Sequence, residues 1–283
     1  MFGFLNIYKP KGKTSHDVVA ILRRTTGVKQ IGHTGTLDPF AEGVLPICIG
    51  KATRLIEYLN DDKAYIGTVQ LGSSTTTYDT EGGAVNISDK TPYLEEVEDC
   101  LKTFRGEIEQ IPPIYSAIKV KGKKLYEYAR SGQDVDIEPR KVNIFKLEIL
   151  NYDLKNKQLE LEIECSKGTY IRSIANDLGK KLGCYGHLIK LVRTRAGKFN
   201  IENSVKLDTL ASIADVERNL IYPLNYLDYQ KYEINDNEKK LISNGIKIQT
   251  NLIDGISIMV HNNRIVSIGK TKTGIFKPEK VFI

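Results

Sequence analysis

The sequence predicts an α+β fold in two units, a large N-terminal one and a small β-rich one at the C-terminal end. Three observations lead there. Alternating apolar segments come in adjacent pairs, as antiparallel hairpins do, rather than singly between helices as in a doubly wound parallel sheet. Helical segments stand apart from those pairs. From about residue 231 the texture changes to short strands broken by turn residues. No internal repeat and no low-complexity tract interrupts the chain.

Taken in order, residues 2–8 read as a strand that stops at Lys9-Pro10-Lys11-Gly12. Ser15 is the expected N-cap of a helix over 16–26, with Asp17 in its first turn. Residues 44–49, Val-Leu-Pro-Ile-Cys-Ile, form a short apolar run that predicts a buried element. Residues 63–71 alternate as a strand should, and 72–83 is a polar loop too rich in turn formers for regular structure. Thr91-Pro92 opens a helix to about 104, with Thr91 as cap and Pro92 in the first turn. Residues 140–150 and 158–165 predict paired antiparallel strands across Asn156. A helix is expected over 170–182, a strand over 187–196 with Arg193 and Arg195 on one face, and a short helix over 207–214. Beyond 231, a short helix ends at Asn244-Gly245. Strands follow near 255–261, 264–269 and 280–283, with Asn262-Asn263 as a hairpin turn. The expected division is therefore 1–230 and 231–283.

At 283 residues, 41% hydrophobic and 27% charged, the composition is that of a globular protein with a sizeable core. No apolar run approaches the roughly 20 residues of a membrane helix. The N-terminus lacks a basic segment leading into a long apolar one, so the expected location is the cytoplasm. Cys48, Cys100, Cys165 and Cys184 form no Cys-x-x-Cys, and the four histidines are equally scattered, so no metal site is expected. The cysteines read as reduced, mostly buried small hydrophobes. The net charge of +6 is unevenly spread. Residues 165–200 carry eight Lys or Arg against one acid; 116–132 and 264–280 each carry five against one. Three such clusters point to a polyanion partner, and nucleic acid is the expected one. Residues 110–132 also interleave aromatic with basic side chains, a pattern suited to stacking on bases while neutralising phosphates. The acid-rich stretch 95–109 is expected to face away from RNA.

The chemistry centres on residues 32–54, where glycines crowd around Asp38. Pro39 disfavours helix at Asp38 and holds it in an extended or turn conformation. The result is a carboxylate on a stiff loop beside a buried element, the placement that catalytic groups favour. An ordinary Asp-Pro turn satisfies the same spacing. Asp38 and Glu42 also form a possible acid and base pair, as in glycoside hydrolysis. No phosphate-cradling Gly-x-x-x-x-Gly-Lys, no Gly-x-Ser-x-Gly and no His-Glu-x-x-His occurs. A chemistry with one essential aspartate and no cofactor suits such a chain.

The stretch 32–54 closely resembles the catalytic signature of the TruB family, the tRNA pseudouridine-55 synthases. Similar segments recur over roughly residues 3–230. The resemblance implies a mixed, mostly antiparallel sheet flanked by helices, followed by a reduced PUA-like RNA-binding tail. It implies isomerisation of a uridine in the T-arm loop of tRNA, by base flipping, without cofactor, metal, membrane or guide RNA, in a monomer. Asp38 takes the nucleophile's place, attacking the ribose C1′ or the base C6, or acting as base toward a glycal. Arg172, in Tyr-Ile-Arg, resembles the arginine that pairs with this aspartate. Tyr65 resembles the tyrosine that stacks on the target base, and Tyr170 and Leu191 match positions lining the uridine pocket. His33 resembles the histidine that wedges into the RNA loop, and Lys9-Pro10 matches a motif flanking the active site. Three alternatives stay open at this point. They are a non-catalytic RNA-binding or RNA-folding protein, a glycoside hydrolase using Asp38 and Glu42, and the guide-RNA-dependent branch of the same superfamily.

Overall fold

The computed structural model describes residues 1–283. In chain order the first part holds β1 (Gly3–Lys9), α1 (Ser15–Thr26), β2 (Ile31–His33), β3 (Glu42–Ile49), β4 (Lys63–Leu71), β5 (Ser73–Thr75), β6 (Ala84–Ile87), α2 (Leu94–Lys102) and β7 (Gly106–Gln110). The middle adds β8 (Lys119–Val120), β9 (Lys123–Lys124), α3 (Leu125–Arg130), β10 (Arg140–Asp153), β11 (Gln158–Cys165), α4 (Ile171–Lys181) and β12 (Gly186–Ala196). The rest comprises β13 (Phe199–Asn200), β14 (Val205–Lys206), α5 (Ile213–Arg218), β15 (Gln230–Glu233), α6 (Asp236–Ser243), β16 (Ile248–Gln249), β17 (Gly255–His261), β18 (Arg264–Lys272) and β19 (Ile275–Val281).

Ten strands form one sheet, ordered β14-β1-β3-β12-β4-β11-β10-β7, with β2 also on β3 and β13 on β12. Only β1–β14 and β3–β12 run parallel, so the sheet is mixed and mostly antiparallel. Alternation along its strands separates two cores. Leu5 and Ile7 of β1 and Leu45, Ile47 and Ile49 of β3 point to one side, into a core shared with α1, α2, α4 and α5. Phe4, Val44 and Cys48 point to the other, and there they pack on Ile258, Val260, Ile265 and Ile268 of a second sheet. That second sheet runs β15-β17-β18-β19-β16 and is closed on its far side by Ile242 of α6 against Met259, Val266 and Phe276. The second sheet begins at β15, and it shares an apolar core with the large sheet. No helix is long and apolar enough to cross a membrane.

Several local expectations shift for physical reasons. Thr14, not Ser15, caps α1: its hydroxyl accepts from the Asp17 N–H while Asp17 returns a bond to the Thr14 N–H. Ser15 is buried and its hydroxyl is used elsewhere. The second helix starts at Leu94 rather than at Pro92, because the Pro92 carbonyl accepts from the Tyr152 hydroxyl (2.7 Å) and the chain turns only after Tyr93. The polar stretch 72–83 is not wholly irregular, since Ser73–Thr75 pairs with Ala84–Ile87. Arg193 and Arg195 do not share a face. The β12–β4 register slips between them, placing Arg193 opposite Tyr65 and Arg195 opposite Ala64. Residues 207–214 split into a 3₁₀ turn (Leu207–Thr209) and the start of α5. The last strand runs Ile275–Val281 rather than 280–283, and Asn262 and Asn263 both take positive φ, as a type I′ hairpin turn requires.

Candidate active site

Asp38 stands on loop 34–41 between β2 and β3, and the backbone of that loop is held from several sides. The Ser15 hydroxyl donates to the Leu37 carbonyl (3.0 Å) and accepts from the Leu37 N–H (2.8 Å). The Gly12 N–H donates to the Pro39 carbonyl (2.7 Å) and the Thr34 N–H to that of Pro46 (3.1 Å). Lys9 has no exposed surface, and its ammonium donates to the carbonyls of Pro10, Lys13 and Pro39 at 3.0, 2.6 and 3.4 Å. Burial pulls its pKa down to about 8, with the Asp38 charge opposing. All three of its N–H groups are therefore engaged beneath the loop.

The first turn of α4 presents Arg172 to this carboxylate. Its Nη2 donates to Asp38 Oδ1 at 3.3 Å, and its Nε lies 2.9 Å from Oδ2. The guanidinium is 5% exposed and also contacts Asp79 Oδ2 at 3.4 Å. Nη1 donates to the Thr77 carbonyl (3.1 Å) and Nη2 to the Tyr115 carbonyl (3.0 Å). One buried cation thus joins two carboxylates from separate loops. Charge-assisted contacts of this kind orient both carboxylates. Gln110 fixes the helix start: its side-chain amide donates to the Tyr170 carbonyl (3.0 Å) and its oxygen accepts the Tyr170 N–H (2.8 Å).

Asp79 is 2% exposed, and sequence reasoning passed over it as part of a polar loop. Its loop folds back tightly enough that a Cβ at Gly82 would sit 2.5 Å from the Thr77 hydroxyl, and Tyr78 takes a left-handed φ of 63°. The Thr77 hydroxyl and the Glu81 N–H both bond to Asp79 Oδ1, leaving Oδ2 for Arg172. Burial, then Asp79 and Asp38, push the Glu81 carboxyl up.

Above Asp38 and Arg172 opens a cavity of about 860 Å³. Tyr65, Tyr170 and Leu191 line it, as the sequence reading placed them together with Asp38 and Arg172. Tyr65 is buried, which pushes its phenol up to about 12, and burial raises Tyr170 as well. Lys63, Arg140, Lys141 and Lys167 line it as well, with Lys63 paired to Asp61 and Lys141 to Glu107. His33 is not in the lining; it sits at the end of β2 with its ring edge-on to His16 (centroids 5.8 Å apart), and His16 does line the cavity. Burial, then His16 and Arg193, pull the His33 imidazole down to about 4, so it is neutral. Lys9 and Glu42 also lie outside the lining. No second carboxylate from Glu42 faces Asp38 across the cavity, as an acid and base pair would need.

Comparison with known proteins joins this geometry to a family. The model of the TruB family pseudouridylate synthase N-terminal domain matches residues 23–171. The chain belongs to the TruB family. The model of the tRNA pseudouridylate synthase B C-terminal domain matches residues 172–227. The junction between these two matches falls in the first turn of α4, and β12 of the second match pairs with β3 and β4 of the first. A relative from Clostridium tetani named tRNA pseudouridine synthase B is 41% identical, covering 100% of both chains. One of the same name from Caldanaerobacter subterraneus subsp. tengcongensis is 43% identical over 99% of this chain and 96% of its own. Among solved structures, one described as a Cbf5-Nop10-Gar1 complex superposes with a TM-score of 0.70 at 25% identity, covering 100% of this chain and 85% of that one. The fold of the family, a mixed sheet with helices and a small PUA-like β-rich tail, is the fold described above.

Proposed function

We propose that this chain is a tRNA pseudouridine synthase that isomerises uridine-55 in the T-arm loop, with Asp38 as its essential group. The observation that carries the reading is the Asp38–Arg172 pair at the floor of an aromatic-lined cavity with basic residues in its lining. Family membership and relatives named tRNA pseudouridine synthase B support the same activity. The target nucleotide leaves its stack and enters the cavity. Flipping costs a few kcal/mol, and stacking on an aromatic such as Tyr65 returns about 1–3 kcal/mol. Tyr170 and Leu191 close on the base from the sides. Arg172 keeps Asp38 aimed. The carboxylate then attacks C1′ or C6 of the nucleotide, or removes a proton toward a glycal; all three routes need an ionised, fixed oxygen beside the base. The uracil detaches, turns and rejoins through carbon 5, with no redox change and no cofactor.

His33 serves as the wedge in the RNA loop, since a neutral imidazole stacks without the cost of desolvating a charge. Lys9 acts from beneath, holding the loop rather than touching RNA. The unit 1–230 carries catalysis, 231–283 adds RNA contacts, and the protein works without a guide RNA. The discriminating experiment supplies purified protein with a tRNA transcript and nothing else, then locates pseudouridine by carbodiimide-dependent reverse-transcription stops. A single stop at position 55 of the T loop is expected. Binding without any stop would move the protein to the RNA-folding class, and a stop that requires a guide RNA would move it to the guided branch.

A further inference from the structure

Arg193 lies in the middle of β12 with no exposed surface, and none of the molecule's ion pairs includes it. Burying a cation without a carboxylate beside it costs several kcal/mol, so its hydrogen bonds show what it is kept for. Nε donates to the Val44 carbonyl at 2.6 Å, Nη1 to that of Thr36 at 3.2 Å and Nη2 to that of Gly35 at 3.1 Å. Tyr65 lies opposite Arg193 across the β12–β4 ladder, and the guanidinium charge acts on its phenol, opposing the upward push of burial. One residue therefore ties together three elements: its guanidinium holds the start of β3 and the loop that carries Asp38, and its place in the ladder sets both beside the strand that carries Tyr65. The backbones close in to permit this: Gly43 has φ +105°, and a Cβ there would sit 2.3 Å from the Arg193 carbonyl. Gly35, Thr36 and Tyr65 line the cavity, whereas Arg193 itself does not. Its charge reaches the same neighbourhood, contributing to the lowered pKa of Lys9 and of His33.

We propose that Arg193 is a positioning residue, whose guanidinium fixes the Gly35–Thr36 backbone against Tyr65 and so sets the spacing between the Asp38 carboxylate and the stacked base. The inference rests on the reading above, in which Tyr65 stacks the target and Asp38 attacks it. A lysine keeps the charge but lacks the planar fork that reaches several acceptors at once. Arg193→Lys therefore separates geometry from charge. Misplacement by about 1 Å far from the chemistry can cost roughly 100-fold in rate.

The test uses full-length wild type, Arg193→Lys and Arg193→Ala on tRNA tritiated at uracil carbon 5, reading single-turnover tritium release and tRNA binding in parallel. Methylguanidinium or methylammonium is then added to Arg193→Ala. Arg193→Lys is expected to slow release by about 100-fold while its tRNA affinity stays within about threefold of wild type, a loss confined to the transition state. Methylguanidinium, and not methylammonium, is expected to restore part of the Arg193→Ala rate. Release by Arg193→Lys at the wild-type rate overturns the proposal, and so does a rate loss matched by an equal loss of affinity. Should Arg193→Ala not fold, the split between rate and affinity in Arg193→Lys decides alone. No release by wild type would instead remove the functional reading itself, a distinguishable failure.

Discussion

Loop 34–41 and segment 111–139 both line the cavity, and they are held in different ways. The loop is fixed by buried groups that come from far along the chain: Ser15 on Leu37, Lys9 on Pro39, Arg193 on Gly35 and Thr36, and Arg172 on Asp38 itself. The segment is held mostly by itself. The Lys123 ammonium donates to Ser131 and Gln133 and lies 4.6 Å from the Tyr128 ring centroid, while the Tyr128 hydroxyl donates to the Val120 carbonyl. Its ties to the body gather at its start, where Pro112, Pro113 and Ser116 are buried, the Ser173 hydroxyl donates to the Ile111 carbonyl and Arg172 to that of Tyr115; beyond them buried Leu125 is the main anchor. Few buried apolar contacts and exposed local bonds mark the part of a structure that opens most easily. Under the proposed function, chemistry belongs to the pinned wall and adaptable RNA contact to the self-held one. Arg172 touches both.

Four variants sharpen or break that contrast, beginning with the largest effect. Arg172→Met leaves Asp38 and Asp79 as unpaired carboxylates, and single-turnover tritium release should fall by more than about 100-fold with tRNA affinity nearly kept. An equal fall in affinity would mean that Arg172 serves the binding wall. Asp79→Asn keeps the shape and most hydrogen bonds but removes one of two charges on Arg172. Its release rate should drop by roughly tenfold, read on the same assay, since the guanidinium loses one of its two charged partners. On the opposite wall, Lys119→Gln with Lys121→Gln should weaken tRNA binding severalfold. It should also reduce the slope of log affinity against log salt by about 2, leaving the rate at saturating tRNA unchanged. A changed rate with unchanged salt slope would erase the division.

The smallest effect concerns pH. The unfolded chain protonates its His33 near pH 6.5, whereas the folded protein holds that imidazole down to about 4. The folded state therefore binds fewer protons across that window, so stability is full above it and declines as pH falls toward 4. The ring is partly exposed, so the loss should be on the order of 2 kcal/mol or less. Urea midpoints of wild type and His33→Asn at pH 7.5 and 4.5 measure it. The variant should lose less stability between the two, and identical losses would show that the imidazole titrates normally.

The sequence carried most of the fold because its signals were local. The alternation over 63–71 marks β4 to the residue, and Asn262-Asn263 names its own hairpin turn. Asp38, with its prolines and glycines, stood out for the same reason. Errors arose where two adjacent residues compete, as with Thr14 and Ser15, and where a register slip reverses a face, as between Arg193 and Arg195. Asp79 and Arg193 were invisible as site residues. Their importance lies in contacts with Arg172 and with the Gly35–Thr36 backbone, distant in sequence, and neither is marked by composition or period. The shared core was equally hidden. Removing 231–283 would uncover Phe4, Val44 and Cys48, so such a truncation reports on folding before it reports on RNA affinity.

The central claim is that Asp38 performs chemistry on RNA that other surfaces hold. Its most direct test follows tritium release from carbon-5-labelled tRNA under single turnover for wild type and Asp38→Asn, with binding measured on the same preparations. Release by wild type alone, with both proteins binding equally, is the predicted result. Release by Asp38→Asn at a rate near wild type, or loss of its binding in step with its turnover, would contradict it.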